Sequence, residues 1–499
     1  MAAQLSPNLA SFNIHGLTLA DAYQKLDQEI GQLQERLSAL RTLRNSLSPI
    51  SKMPTEILSK IFSDSQQRRG SSFPDDADLD TRFFISWVCR HWRNIALATP
   101  NLWTIISRGT KDTTMSIEFA KDLLVRSRNL GLSINLYLPD SELLKAFAAH
   151  MHRIQHMRLK NGSGSDESDD FFSKAAPLLS SLELEDAELP DELEVFSEIH
   201  PQLRHLSVSR MDLSTPSPLF SPTLSSLYIY RMGDSMDIDY LLDVLPLMQN
   251  LAELEITQSF DDADVVIPTQ CITLPRLVSF ILSDDCWGTV FGFLRCFDIP
   301  QTTITLTWSE EIEGTDEMTN DLNEFLFDVE GYLGEILYPF RHLKVREESS
   351  AFVIDISSSA SQHRYSFRFP GQQVGQQYVD IFINRALPLR NLETLSVAAW
   401  PEIAAHRLGE SLNLTKVTVF GNATLQGFVD DFNQKTFPAV KELVICDIEP
   451  LLFGYSRLEG ALTTRYAAGV RLDKLVFMRC PGMRVNKFGK LVDEILIRN

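Results

Sequence analysis

A six-residue pattern, apolar-x-x-apolar-x-apolar, recurs from about residue 154 to the C-terminus, and no other feature limits the fold of this chain so strongly. It reads LSSLEL from Leu179, LRHLSV from Leu203, LSSLYI from Leu224, LAELEI from Leu251 and LVSFIL from Leu277. It returns as LETLSV from Leu392, LTKVTV from Leu414, VKELVI from Val440 and LDKLVF from Leu472. Alternation over the last three positions buries one side of an extended chain and exposes the other, so each pattern predicts a short strand. Between the patterns lie helix-like stretches, YLLDVLPLMQNL, WGTVFGFLRCF and LQGFVDDFNQ. The starts lie mostly 21 to 27 residues apart within each block. That spacing holds one strand and one helix, each repeat burying its apolar side chains on its neighbours.

Period and pattern together resemble leucine-rich repeats. The resemblance implies a solenoid over residues 111–499 with parallel strands inside and helices outside. An ordinary α/β domain shares the local pattern but needs no fixed period, and nine matches favour the repeat. Residues 300–390 hold only loose matches, such as FRHLKV from Phe340, beside an acidic helix candidate, TNDLNEFLFDVEGYLGEIL. They read as divergent repeats that accommodate an inserted helix. Side chains alternating with the buried leucines form the default binding surface: Glu183, Glu185, His205, Ser207, Tyr228, Tyr230, Glu253 and Glu255 early, and Lys416, Thr418, Phe420, Glu442, Lys474 and Met478 late. Tyr228, Tyr230, Glu253, Glu255, Lys416 and Phe420 are the target-binding candidates. Tyrosines flanked by acids favour a basic, arginine-bearing peptide at the N-terminal half, because aromatic and charge-complementary anchors dominate interfaces.

Upstream, residues 51–110 form a different unit. Ile57, Leu58, Ile61 and Phe62 share one helical face, opened by Pro54 with Glu56 in the first turn, where the helix dipole favours an acid. Phe84, Val88, Cys89, Trp92 and Ile95 recur at threes and fours as the stripe of a second helix. Trp87, Trp92 and Trp103 lie within 17 residues, and such a cluster makes either a tight core or a partner surface.

The run MPTEILSKIF followed by WVCRHWRNIALATPNLW resembles the F-box motif. Its general form is Leu-Pro, an acid, paired aliphatics, a Val-Cys-basic-x-Trp-Arg segment and a closing Pro-x-Leu-Trp. With its repeats, the chain is similar to F-box proteins that carry C-terminal leucine-rich repeats, in the version with a fungal-type F-box-like domain. Met53 stands where Leu is usual, and the polar insert from about Gln66 to Asp80 is longer than the compact motif allows. The resemblance implies a helical unit that docks on a Skp-type adaptor and, through it, on a cullin-RING (SCF-type) ubiquitin ligase. It also implies that Pro54, Ile57, Leu58, Ile61, Val88, Cys89, Trp92 and Trp103 contribute to that contact or to the small core behind it. The alternative is a helical first layer of the following domain.

Residues 1–50 precede this unit. Leu19, Leu26, Leu33, Leu40 and Leu47 repeat at sevens, with Tyr23, Ile30 and Leu37 offset by four. This is a coiled-coil stripe over about 19–47, and it permits a homodimer through the N-terminal coil. A single amphipathic helix lying on the rest of the protein fits the same stripe, since Gly31 and Arg44 both weaken a long coil.

The expected fold is therefore α/β: a short N-terminal coiled coil, a small helical F-box, then the repeat solenoid. The expected function is a substrate-recognition adaptor of a ubiquitin ligase, with a non-degradative repeat scaffold as the alternative. A net charge of -20 opposes nucleic-acid binding, which needs a concentrated basic surface. No stretch approaches the ~20 apolar residues that cross a bilayer. The N-terminus lacks a basic segment followed by an apolar core, so the expected place is the cytoplasm or nucleus. Six cysteines without a CxxC pair read as reduced thiols.

For an enzyme, the best candidate is the His152-Arg-Ile-Gln-His156 pair at helical spacing. Arg153 stands where a zinc protease carries its glutamate, and it would repel a metal. NGSGSDESDD, residues 161–170, has neither a phosphate-loop lysine nor GxGxxG spacing. No nucleophile signature is present. No catalytic residue, metal or cofactor is expected, and a hydrolase or metal-dependent enzyme is the least favoured reading.

Overall fold

All nine patterns coincide with strands. The computed structural model describes residues 18–65, 76–108, 116–137, 141–160, 170–187, 196, 202–211, 219–231, 238–259, 270–283, 287–299, 302–307, 326–333, 340–348, 351–358, 364–370, 373–401, 404–432, 436–449, 455–480 and 485–498. The chain divides into two compact units, Met1–Tyr137 with Arg153–His156, and Leu138–His152 with Met157–Asn499. In chain order the strands are β1 (Ile105–Arg108), β2 (Leu132–Tyr137), β3 (Ile154–Lys160), β4 (Ser181–Glu185), β5 (His205–Ser209), β6 (Ser226–Tyr230), β7 (Glu253–Thr257), β8 (Ser279–Ser283) and β9 (Thr303–Thr307). They continue as β10 (His342–Glu348), β11 (Ala351–Ser357), β12 (Arg364–Pro370), β13 (Thr394–Val397), β14 (Lys416–Phe420), β15 (Glu442–Cys446), β16 (Leu472–Met478) and β17 (Val492–Arg498). The fold is α/β and the pairing is mostly parallel.

In the second unit, register aligns the apolar positions in rows. Leu182, Leu206, Leu227, Leu254 and Phe280 are successive partners, and Leu184, Val208, Ile229, Ile256 and Leu282 form the parallel row. All ten are buried. No single repeat could bury these side chains alone, so each strand's stability depends on its neighbours. The helix-like stretches fold as Ile238–Val244, Trp287–Arg295 and Asn422–Asp431.

The residue after several strands is left-handed: Asp186, Arg210, Arg231, Gln258, Asp447 and Arg479 have φ between 48 and 55°. Each donates its N–H to the last carbonyl of the next strand, as Asp186 does to Ser209 and Arg231 to Thr257. This repeated bond offsets the cost of about 1–2 kcal/mol for a non-glycine residue in that region. It also places these residues just past the C-terminal ends of the strands.

Residues 300–390 differ from the expectation of divergent repeats. β9 pairs with β12, β12 with β11, β11 with β10, and β10 with β13. A three-stranded antiparallel meander is thus spliced into the parallel array in reverse chain order. Only two residues separate β10 from β11, too few for the crossover a parallel neighbour requires. Part of the acidic helix candidate is helical, residues 326–333.

In the first unit, α1 (Leu19–Ser46), α2 (Thr55–Asp64), α3 (Asp76–Val88), α4 (Arg90–Ala98) and α5 (Ile117–Arg126) accompany β1 and β2, which pair in parallel. The Thr18 hydroxyl caps α1 by accepting the Asp21 N–H and donating to its carboxylate. No residue of α1 is buried, so its apolar stripe does not lie on the described residues of this unit. The stripe read from Phe84 to Ile95 as one helix is broken. Cys89 is extended (φ -162°, ψ 168°) and its sulfur accepts the Trp92 N–H at 3.4 Å, ending α3 and capping α4.

Candidate functional site

The helical unit divides the eight residues of its motif between core and surface. Leu58 is fully buried and packs inward with Phe62, one turn apart on α2, whereas Ile57 and Ile61 are exposed. Trp103 is buried and its Nε1 donates to the Ala96 carbonyl at 3.0 Å. Trp92 is half-buried against Phe62, with ring centroids 4.9 Å apart. Pro54 and Val88 are exposed and Cys89 is half-buried. The apparent single stripe on α2 is therefore two half-faces, one closed and one open. Met53, Phe84 and Trp87, the last 64% exposed, add apolar surface that pattern reading did not single out as contact residues. Part of the polar insert, residues 66–75, lies outside the described residues.

The second candidate is the polar face of β4–β8. Register places Glu183, Ser207, Tyr228 and Glu255 in one row and Glu185, Ser209, Tyr230 and Thr257 in the next. The Tyr228 and Tyr230 rings stack at 6.4 Å with an interplanar angle of 7°. The Tyr228 hydroxyl donates to Glu253 at 2.5 Å, and Ser226 donates to the same oxygen at 3.1 Å. Burial, then the Glu253 carboxylate, pushes the Tyr228 phenol up to about 12, and burial with Glu255 raises Tyr230 as well.

The acids on this face are not equivalent. Arg158 pairs with Glu183 at 2.6 Å, Lys160 with Glu185 at 2.6 Å, and Arg210 reaches Glu185 at 2.7 Å and Asp186 at 2.8 Å. Glu253 and Glu255 have no ion-pair partner among the described residues. The acidic character expected along the whole early face is thus concentrated at Glu253 and Glu255, beside the two tyrosines. A cleft of about 320 Å³ opens nearby, lined by Glu185, Arg210, Tyr230, Arg231, Thr257 and Gln258 among others. Arg231 donates to the Gln258 side chain at 2.9 Å. Arg210, Arg231 and Gln258 are the left-handed residues that follow strands. Sequence reading missed them because they fall outside the alternating positions, and only the recurrent turn carries them to the cleft.

Burial raises the Glu255 carboxyl, outweighing its hydrogen bond from Tyr230, and Glu253 raises it further. The folded chain therefore holds this proton to a higher pH than the unfolded chain does. Between the two pKa values the folded state binds more protons, so stability falls as pH rises. Glu255→Gln removes that loss. The variant should melt with the parent at about pH 4 and above it at about pH 7.5. Coincident melting curves at the higher pH would reject this charge penalty.

The structure does not gather all six target-binding candidates. Lys416 and Phe420 sit on β14, eight neighbours from β6 along the sheet, a path of roughly 38 Å at about 4.8 Å per strand. Lys416 pairs with Glu442 at 3.0 Å. Phe420 and Met478 pack on Val444, Cys446 and Val476. Burial pushes the Cys446 thiol up to about 11. This half of the same strand face keeps one row of ion-paired charges, Lys416 with Glu442 and Lys474 with Glu494, and beside it carries an apolar cluster that the early half lacks.

His152 and His156 are not on a helix. His152 lies in the short 3-10 turn Met151–Arg153 and His156 in β3. No group of three His, Cys, Asp or Glu among the described residues is placed to hold a metal. Residues 161–169 of the glycine- and serine-rich stretch, and Cys286, lie outside the described residues. Among the described cysteines, Cys296, Cys446 and Cys480 are buried, Cys89 is half-buried and Cys271 is exposed. No described helix is long and apolar enough to cross a membrane. No family model matches this chain, and no curated protein matches it significantly.

Proposed function

We propose that this chain is the substrate-recognition subunit of an SCF-type cullin-RING ubiquitin ligase. Helices α2 to α4 hold the Skp-type adaptor, and the polar face of the repeat strands holds the target protein. One observation carries the reading: Ile57, Ile61 and Val88, at positions of the F-box-like motif, are exposed, while Leu58 and Trp103 lie in a core already filled. Apolar side chains left outside a filled core are what an interface needs, since buried aliphatic and aromatic anchors supply most of its energy. Tyr228, Tyr230, Glu253 and Glu255 offer a target a stacked aromatic pair beside two carboxylates, chemistry suited to a lysine or arginine side chain. Ubiquitin transfer itself belongs to other subunits. The chain contributes effective concentration, making the encounter of target and charged carrier nearly intramolecular.

The test is co-purification of the full chain with a Skp-type adaptor, beside the double variant Ile57→Asp with Val88→Asp. Both positions are exposed, so the variant should keep the parent's melting temperature and lose the adaptor. Adaptor retained by the folded variant would reject this docking face. If the parent binds the adaptor but no cullin follows, the chain is a scaffold without ligase function.

A further inference from the structure

Helix α1 carries a long apolar stripe that no described residue of its own unit buries. Leu19 is 73% exposed and Leu47, its C-cap, 70%, while Tyr23, Ile30, Leu33, Leu37 and Leu40 are exposed between them. A 28-residue helix extends about 42 Å at 1.5 Å per residue. In heptad terms Leu19, Leu26, Leu33, Leu40 and Leu47 are the d positions, and Tyr23, Ile30, Leu37 and Arg44 the a positions. The charges are divided along the axis. Residues 19–31 carry Asp21, Asp27 and Glu29 against Lys25, whereas residues 32–46 carry Arg36, Arg41 and Arg44 against Glu35.

A second copy of the chain complements this helix in one direction only. Side by side in parallel, two copies would set Arg44 against Arg44 inside the seam. They would also set Arg36 against Arg41 twice on its flanks, and align acidic half with acidic half. Turned end for end about residue 35, the same helices stack Leu33 on Leu37, Ile30 on Leu40 and Tyr23 on Leu47. Arg44 then meets Leu26, and its long stem can cover the leucine while the guanidinium reaches water. Asp27 of each copy faces Arg41 of the other across the flanking e positions. The acidic half of each lies along the basic half of its partner, and the two helix dipoles oppose. The like-charged meeting that remains at seam or flank is Arg36 with Arg36.

We propose that α1 is a dimerisation element and that two copies of this chain pair through it in antiparallel register, locked by Asp27 and Arg41. Arg44, which breaks the apolar series, then selects direction, as a polar residue in a coiled-coil seam selects register. The inference does not depend on adaptor binding.

The experiment is sedimentation equilibrium on the full chain and on three variants: Asp27→Arg, Arg41→Asp and both together. Both residues are exposed. The parent should be a dimer. Each single variant places like charges together twice per dimer and should weaken association about tenfold, and the double variant should restore it. A parallel dimer gives a different pattern: Asp27→Arg has little effect, and Arg41→Asp tightens association by facing Arg36. That result overturns the antiparallel register. A parent that stays monomeric, or a dimer unaffected by Leu33→Asp with Leu37→Asp, overturns the role of α1.

Discussion

Truncating Trp103 to alanine should lower the stability of the helical unit by about 3–5 kcal/mol, the usual cost of deleting a large buried aromatic. The indole is 1% exposed, so its removal leaves a cavity rather than a solvated gap. Its Nε1 bond to the Ala96 carbonyl ties the Pro100–Trp103 turn to the last turn of α4. The Arg126 guanidinium lies over the ring at 5.1 Å, and Phe83 is 6.3 Å away. One side chain thus joins α3, α4, α5 and the closing turn. Hydrogen exchange read peptide by peptide checks the effect where it arises. Protection across residues 82–106 should fall sharply, while protection across β14–β16 should not. Trp103→Phe should recover part of the loss by filling the cavity without the N–H. Unchanged exchange in Trp103→Ala would mean that this indole does not hold the unit together.

The second large effect is expected at Arg153. Its guanidinium is 4% exposed and donates to Leu124 O at 3.1 Å, Leu130 O at 3.0 Å and Ser127 Oγ at 3.1 Å. Those acceptors lie at and just beyond the C-terminal end of α5, where carbonyls have no partner within the helix. Burial pulls the group below its ordinary pKa, yet the cation remains the form that can serve three acceptors. Arg153→Ala would remove all three bonds at once, and although Leu124 O keeps the Ser127 hydroxyl at 3.0 Å, the loss of a charged donor at buried acceptors should cost about 1–3 kcal/mol. Arg153→Lys should rescue little, because an ammonium cannot reproduce the planar fork of donors. Denaturation midpoints of the two variants against the parent measure this. A midpoint for Arg153→Ala equal to the parent's would show that water replaces the fork without cost. The residue that makes the two flanking histidines a poor metal motif is, in the fold, a cap for a neighbouring helix.

What could be read from the sequence was local. Nine strands, three repeat helices, the heptads of α1 and the opening of α2 all follow from the spacing of apolar residues within a few positions. Alternation or helical periodicity needs no knowledge of the partner. The motif around Leu58 and Trp103 likewise identified which residues belong together, though not which of them close a core and which stay open.

Tertiary structure decided the rest. AFVIDIS and RYSFRFP alternate as strands should, but their short connections and their neighbours, not their own patterns, make them an antiparallel splice. Glu183 and Glu255 look alike in sequence, yet only the pairing of β3 beside β4 brings Arg158 to Glu183, while Glu255 is left to a tyrosine. Lys416 and Tyr230 share an alternating position and end up eight strands apart. Cys89 could have continued a helix and instead divides two. Periodicity is set by bonds within one turn or one pleat. The identity of a cross-strand neighbour is set by how distant segments share a buried surface, and no window of sequence contains both.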